Sequence, residues 1–478
     1  ITTICRIGKK MASDFSSQVR VRFAPSPTGH LHIGSFRTAL FNWLFARHHG
    51  GTFLVRIEDT DLERSMQEYV HSIMAALDWV NLQADEPIVI QSERLQEHVR
   101  VLQKMVQEGT AYKCFCTQQE VADRSNDSEF ISYDGLCRTA DQSMDKPHVI
   151  RFKLPDITQV SFDDLIRGTI TVPAGQLDDF IIARSDGTPT YNFVVVVDDA
   201  AMRITHVIRG EDHISNTPKQ ILLYQACGYR IPQFAHMPLI LGPSGDRLSK
   251  RDGATSALAY KQMGYLPDAL VNYLVRLGWS HGDQEIFSRE QLVEFFTLDA
   301  VGKKGSIFDI EKLKWMNGVY IRERSAKELL SYISTQLDGD FVSRLSGWNT
   351  TQIEQAIALY TERVHTLIEL MQEVELLYNG PKQYQQSEIE KWTDSQTKEH
   401  LTALITMIQN DKPDTLDALK DAVKSLTKTM GIKFVQLAQP MRIALIGSSA
   451  GPGVFEMFFV VGLHEALARL ERLRDTIE

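Results

Sequence analysis

The sequence predicts an α/β multidomain protein, and three observations carry that expectation. Short runs such as Val19–Phe23 and Thr52–Ile57 have strand character, end in turns, and are followed by segments with helical period. The chain has 478 residues, too many for a single core. Past Asp252 the chain changes character, and from Arg322 onward it reads as helical with few prolines, so that region is expected to be all-α.

The first element is also the most informative. Val19, Val21 and Phe23 alternate with Arg20 and Arg22, the pattern of a half-buried strand. Pro25 and Pro27 then stop the ladder, since neither has an N–H to donate. Gly29 and Gly34 permit a close turn, and Phe36, Leu40, Phe41 and Leu44 mark a helix closed by Gly50-Gly51. Such a helix N-terminus aims backbone N–H groups and the helix dipole at one spot, where a phosphate can sit. Thr52–Ile57 reads as a second strand delivering Glu58 and Asp59 to the carboxyl edge of the sheet, with Asp61 as a helix cap. Helical patterns follow through Ile73, Leu77 and Trp79, and through Leu95, Val99, Leu102 and Val106.

Further along, Val149–Leu154, Gly168–Val172 and Phe180–Ile182 read as strands of a β-rich stretch. Val194–Val197 reads as a buried strand, and Ile204–Ile208 as one ending at Arg209, Gly210, Glu211 and Asp212. Leu239-Ile240-Leu241 precedes a turn-rich loop, and the basic run Arg247–Arg251 comes next. In the C-terminal half, Ile353, Ile357, Tyr360, Val364, Leu367, Met371, Val374 and Tyr378 form an apolar stripe spaced by alternating fours and threes.

Composition is that of a globular chain, 43% hydrophobic and 23% charged, with no apolar run near the length of a membrane span. The formal charge of −10 does not exclude nucleic acid, because a local basic groove decides phosphate binding in a large protein. Five cysteines without a secretory signal suggest a reducing compartment, cytoplasmic or an organellar matrix. Ile1–Lys10 carries Arg6, Lys9 and Lys10 with no acid, and reads as a targeting remnant or an upstream segment before Met11. Disorder is expected there.

His32-Ile33-Gly34-Ser35, together with Arg247-Leu248-Ser249-Lys250-Arg251, resembles the HIGH and KMSKS signatures of class I aminoacyl-tRNA synthetases. Ala24–Gly29 and Arg56–Asp61 resemble the glutamyl-tRNA synthetase branch in particular, of bacterial or organellar type. The resemblance runs from about Val19 to the C-terminus and implies a class I Rossmann-type catalytic domain split by an α+β insertion, followed by all-α anticodon-binding domains. It implies ligation of L-glutamate to tRNA-Glu with ATP and Mg²⁺, with tRNA-Gln left open as a second substrate. His32 and Lys250 would be catalytic, and ATP would be held by His32, Gly34, Ser35, Asp212, Ile240, Arg247, Ser249 and Lys250. Glutamate would be held by Arg22, Ala24, Ser26, Glu58, Tyr191 and Arg209; Arg22 could alternatively pair with a structural acid.

Cys114 and Cys116 lie two residues apart, and Cys137 follows after a polar stretch. Three thiolates and a fourth ligand would make a structural zinc site. The family's CxC…CxH knuckle has Thr139 at its histidine position here, so Tyr133, four residues before Cys137, is the alternative ligand, with Asp141 or water behind it. The remaining alternative is a site that has lost its metal. Arg363 is a candidate tRNA contact.

The expected organisation is an N-terminal extension over 1–18, catalytic halves over 19–110 and 191–258, and an acceptor-binding insertion over 111–190. A linking module over 259–322 and an anticodon-binding region over 323–478 complete a chain expected to act as a monomer, away from membranes. The rival readings are a glutaminyl-tRNA synthetase, against which a helical C-terminus argues, and a noncatalytic RNA-binding paralogue.

Overall fold

The computed structural model describes Cys5–Arg6 and residues 18–59, 67–125, 132–248 and 256–477. The chain divides into two compact units, one of Ile1–Ala259 with Val271–Ile310, the other of Tyr260–Leu270 with Glu311–Glu478. Among the described residues no helix is long and apolar enough to cross a membrane.

The first unit begins with Cys5–Arg6 (β1), Arg20–Phe23 (β2), Ile33–His48 (α1), Thr52–Ile57 (β3), Gln67–Trp79 (α2), Val89–Ile90 (β4) and Leu95–Gln107 (α3). Next come Ala111–Cys114 (β5), Gln118–Arg124 (α4), Val149–Phe152 (β6), Gln159–Asp164 (β7), Gly168–Pro173 (β8) and Ile181–Ala183 (β9). Tyr191–Ala201 (α5), His206–Gly210 (β10), Thr217–Ala226 (α6), Gln233–Met237 (β11) and Ile240–Leu241 (β12) follow.

Two parallel ladders build the centre of this unit. In one, β3 lies between β2 and β4; in the other, β11 lies between β10 and β7. The Thr205 N–H donates to the Arg20 carbonyl at 2.9 Å, which brings the starts of β10 and β2 side by side. From this seam strand order runs outward in both directions, so the carboxyl ends of β2 and β10 flank a switch point, where α/β sheets place ligands. All six residues of β3 are buried. The core beneath includes Leu54, Phe152, Ile182, Val194, Val197, Val207, Leu222 and Phe234.

Three features differ from the sequence reading. Val194–Val197 lies in helix α5, not in a strand. A short apolar run buried on every side carries no period, and here its β-branched residues sit in a helix surrounded by core. Strand β7 was not anticipated; its Asp164 is registered with Phe234, so a strand of the insertion joins the central sheet, while β5, β6 and β9 form a separate antiparallel sheet. Finally, Cys5–Arg6, in a stretch expected to lack structure, runs parallel to Val160–Ser161.

In the second unit, the described residues after Glu311 are helical and connecting segments. The stripe from Ile353 to Tyr378 is not one helix but two, Thr350–Tyr360 and Leu367–Asn379. The second opens with a capping box in which Thr366 accepts from the Glu369 N–H while Glu369 reaches back, a local signal that overrides the continuing period. Arg469 is buried beside these helices and donates to the carbonyls of Leu377, Tyr378 and Leu445 at 2.7–3.0 Å.

Candidate active site

The loop after β2 is held in place by backbone bonds, Thr28 N–H to the Ser26 carbonyl and Glu58 N–H to the Pro25 carbonyl, both 2.9 Å. The chain then enters α1 through His32, which is extended (φ −68°, ψ 151°) and gives no side-chain cap. The first turn contains no acidic residue. Its amides therefore have neither an intrahelical acceptor nor a carboxylate of their own, the condition under which a helix N-terminus receives an anion.

This N-terminus opens into a cavity of about 660 Å³. Arg22, Ala24 and Ser26 line it from β2 and the following turn, and His32, Gly34 and Ser35 from the start of α1. Glu58, Tyr191 and Arg209 reach it from β3, α5 and β10; Asp212, Ile240 and Arg247 complete the wall. Residues 140 or more positions apart thus meet in one volume. Ser249 and Lys250 lie outside the described residues, as does Asp61.

Charge is distributed unevenly around this cavity. Arg22 donates from Nε and Nη2 to Asp199 at 3.1 and 3.2 Å, both groups buried. Arg56, fully buried, donates to Asp199 at 2.6 Å and to Glu58 at 3.0 Å. Burial pushes the Asp199 carboxyl up, but the two arginines outweigh it and hold it below the usual range. Burial likewise acts on Glu58 and there prevails over Arg56, so its carboxyl lies above the usual range. Two cations and two anions make this a compensated cluster.

Arg209 stands apart. Nε donates to His236 Nε2 at 3.1 Å, and Nη2 donates to Thr217 Oγ1 at 2.9 Å and Gln220 Oε1 at 2.8 Å. Nη1 is buried without a partner. Among the described residues no carboxylate pairs with this guanidinium, and burial lowers its pKa. Beside it, burial and the Arg209 charge pull His213 down to about 4, so the imidazole is neutral at physiological pH. His213 Nδ1 faces the Tyr191 hydroxyl at 3.2 Å. A buried cation with no anion paired to it has the chemistry to hold a carboxylate.

The cysteines gather elsewhere in the same unit. The sulfurs of Cys114, Cys116 and Cys137 lie within 4.8 Å of one another, with Cys116 and Cys137 3.5 Å apart. The buried Tyr133 hydroxyl accepts the Cys137 N–H at 2.8 Å and interacts with the Cys114 and Cys137 thiols. Arg151 lies 3.9 Å from the centre of the Tyr133 ring. Thr139 is exposed, and Asp141 is occupied with the Ser143 N–H and hydroxyl. Arg363, on the second unit, is exposed.

Residues 18–315 match the family described as tRNA synthetases class I (E and Q), catalytic domain, and residues 325–474 match an anticodon binding domain. The chain belongs to the class I tRNA synthetases of the E and Q group. This synthetase is 47% identical over 468 residues to the glutamate–tRNA ligase of Trichlorobacter lovleyi, covering 96% of this chain and 99% of that one. It is 47% identical over 461 residues to that of Geobacter sulfurreducens, covering 95% and 98%. The crystal structure of a glutamate tRNA ligase from Elizabethkingia meningosepticum in complex with its amino acid superposes with a TM-score of 0.86 at 31% identity, covering 97% of the synthetase and all of that chain.

Several residues in or behind the synthetase cavity were passed over in the sequence. Arg56 carried a signal, being a charged residue in an otherwise apolar run that is buried throughout. Arg37 lines the cavity, donating to the Leu277 carbonyl at 2.5 Å and to the Pro238 carbonyl, while burial lowers its pKa to about 10 against the pull of Glu211. Asp199, two residues past the run expected to be a strand, lies in helix α5. His213, next to Asp212, and His236, between Ala235 and Met237, had no sequence signal, since a single histidine is equally at home in a core.

Proposed function

We infer that this chain activates L-glutamate with ATP and transfers the glutamyl group to the 3′ end of tRNA-Glu. The observation that carries the reading is Arg209, a buried guanidinium with no carboxylate of its own, in one cavity with the uncapped start of α1. The substrate α-carboxylate attacks the α-phosphorus of ATP, pyrophosphate leaves, and glutamyl-adenylate forms. A terminal ribose hydroxyl of tRNA then attacks the acyl carbon and AMP leaves. Mg²⁺ bound to ATP neutralises phosphate charge. The chain's part is positioning and charge stabilisation.

Within that reading, His32, Gly34 and Ser35 hold the phosphates at the helix N-terminus. Asp212, Ile240 and Arg247 line the nucleotide side, and Ser249 and Lys250 act on the departing pyrophosphate. Glutamate is taken by Arg22, Ala24, Ser26, Glu58, Tyr191 and Arg209. Arg22 is already balanced by Asp199, so Arg209 supplies the net positive charge that favours glutamate over glutamine. The insertion over 111–190 serves the tRNA acceptor end, and the helical region over 323–478, including Arg363, serves the anticodon. The all-helical C-terminus favours this reading over a glutaminyl enzyme. The cytoplasm is the expected site of action, with the chain working as a monomer.

ATP–pyrophosphate exchange with glutamate and with glutamine, each with and without tRNA, tests the function. Exchange with glutamate is expected; exchange with glutamine alone, or with neither, overturns it. Gly34→Ala offers a finer probe, because a β-carbon there meets no protein atom within 4 Å and the residue lines the cavity. Alanine is the better helix former by about 1 kcal/mol. The thermal midpoint is therefore expected to hold or rise slightly, while the KM for ATP rises by roughly 5- to 150-fold as the methyl group intrudes on the ligand.

The cysteine cluster fits zinc. Tetrahedral Zn–S bonds of about 2.3 Å put sulfurs roughly 3.8 Å apart, close to the spacing seen. Cys114, Cys116 and Cys137 would hold the ion with the Tyr133 hydroxyl as fourth ligand, and the metal would fix the loops that surround it. Metal analysis of the purified protein should show about one zinc per chain. Cys137→Ser should lose it and depress tRNA charging, while glutamate-dependent pyrophosphate exchange stays near the parental rate.

A further inference from the structure

The uncompensated guanidinium of Arg209 is held by a relay that begins on another strand. Arg209 on β10 and His236 on β11 are register partners in the parallel ladder. Arg209 Nε is always a donor, so His236 Nε2, 3.1 Å away, must be unprotonated. The proton of the neutral ring then lies on Nδ1, which donates to Asp164 Oδ2 at 2.6 Å. Asp164 sits at the end of β7, and its other oxygen accepts the N–H groups of Ile166 and Arg167 at 3.0 and 2.8 Å. The His236 ring is fully buried between Phe162 and Phe234, and it does not line the cavity.

A guanidinium is planar, so fixing two of its nitrogens fixes the third. His236 holds Nε, while Thr217 and Gln220 hold Nη2; the direction of Nη1 follows. We propose that Asp164 and His236 are positioning residues that, by setting one imidazole tautomer, lock Arg209 with Nη1 toward the substrate carboxylate. This rests on the reading of Arg209 as the glutamate ligand. It gives the insertion a second duty, because β7 supplies the carboxylate on which the tautomer depends. The same arrangement keeps the Asp164 carboxylate behind the imidazole, out of contact with Arg209, and leaves Nη1 without a protein partner.

Asp164→Asn is the decisive variant. The Ile166 and Arg167 N–H groups at Oδ1 outweigh the single His236 N–H at Oδ2, so the asparagine turns its oxygen to them and its NH₂ toward His236 Nδ1. The imidazole must then carry its proton on Nε2, which faces the Arg209 N–H and the Thr217 hydroxyl, each 3.1 Å away, so the bond from Arg209 Nε is lost. The KM for glutamate is expected to rise roughly 10- to 100-fold, with the KM for ATP within about twofold of the parent. ¹⁵N NMR of the histidines should show one ring changing from the Nδ1–H to the Nε2–H form. His236→Asn, which keeps a donor for Asp164 and removes the acceptor for Arg209, should raise the glutamate KM in the same way even if the first variant folds poorly. Arg209→Met separates the relay from the ligand role of Arg209. If it raises the glutamate KM and neither other variant does, the relay is overturned; if it leaves that KM unchanged, the assignment of Arg209 itself is wrong. Equal increases in the KM for glutamate and ATP in Asp164→Asn would also overturn the relay, since they would indicate general loosening of the site.

Discussion

Replacing Arg209 by methionine is expected to raise the KM for glutamate in pyrophosphate exchange by roughly 30- to 5000-fold, the range for removing one partner of a desolvated charge pair. The KM for ATP should stay near the parental value. The free protein should not lose stability, and its thermal midpoint is expected to hold or rise. Arg209 is buried without a carboxylate partner, a state that costs several kcal/mol of desolvation. Methionine removes that cost at the loss of the bonds to His236, Thr217 and Gln220. Thermal unfolding with and without saturating glutamate checks both halves: the parent should gain stability with the ligand and the variant should not. A large drop in the midpoint without ligand would show that Arg209 is structural.

Arg56→Met is expected to do the opposite. Arg56 is the shared partner of Asp199 and Glu58, and the methionine variant leaves Glu58 without its cation and Asp199 with Arg22 alone. Breaking a buried pair in this way costs about 3–5 kcal/mol, readable as a lower denaturant midpoint. The deficit should depend on pH. The Glu58 carboxyl already lies above its usual range through burial, and losing Arg56 raises it further. A carboxyl that binds its proton more tightly when folded makes stability fall as pH rises above the ordinary carboxylate range. The deficit should therefore shrink on acidification from neutral, as Glu58 takes up a proton. A deficit independent of pH would mean that lost packing, not buried charge, dominates.

These two arginines show how much of the site could be read in the sequence. The stretch from Val19 to Gly34 was legible because its determinants are local: alternating residues, two prolines, two glycines and a helix start within sixteen positions. The thiol cluster was legible for the same reason. Arg209 could be placed at a strand end, and Arg56 could not be told from a structural residue. The misreadings were also local ambiguities, as at Val194–Val197, where a short apolar run has no period to distinguish strand from helix. At Thr366 and Glu369 the information was present, and a capping box was hidden under an apolar stripe that continued through it.

The sequence by itself determined the opening strand, turn and helix, the helix N-terminus that opens the cavity, the family signatures and the helical second half. Each depends on residues close together along the chain. Only the tertiary structure decided which charges are balanced. Arg22 and Asp199 are 177 positions apart, and Asp164 and His236 are 72 apart. Electrostatic energy depends on distance through space and on burial, neither of which is written in sequence separation. For that reason two arginines that look alike in the sequence end in different surroundings: Arg22 is ion-paired with Asp199, and Arg209 is buried with Nη1 unpartnered.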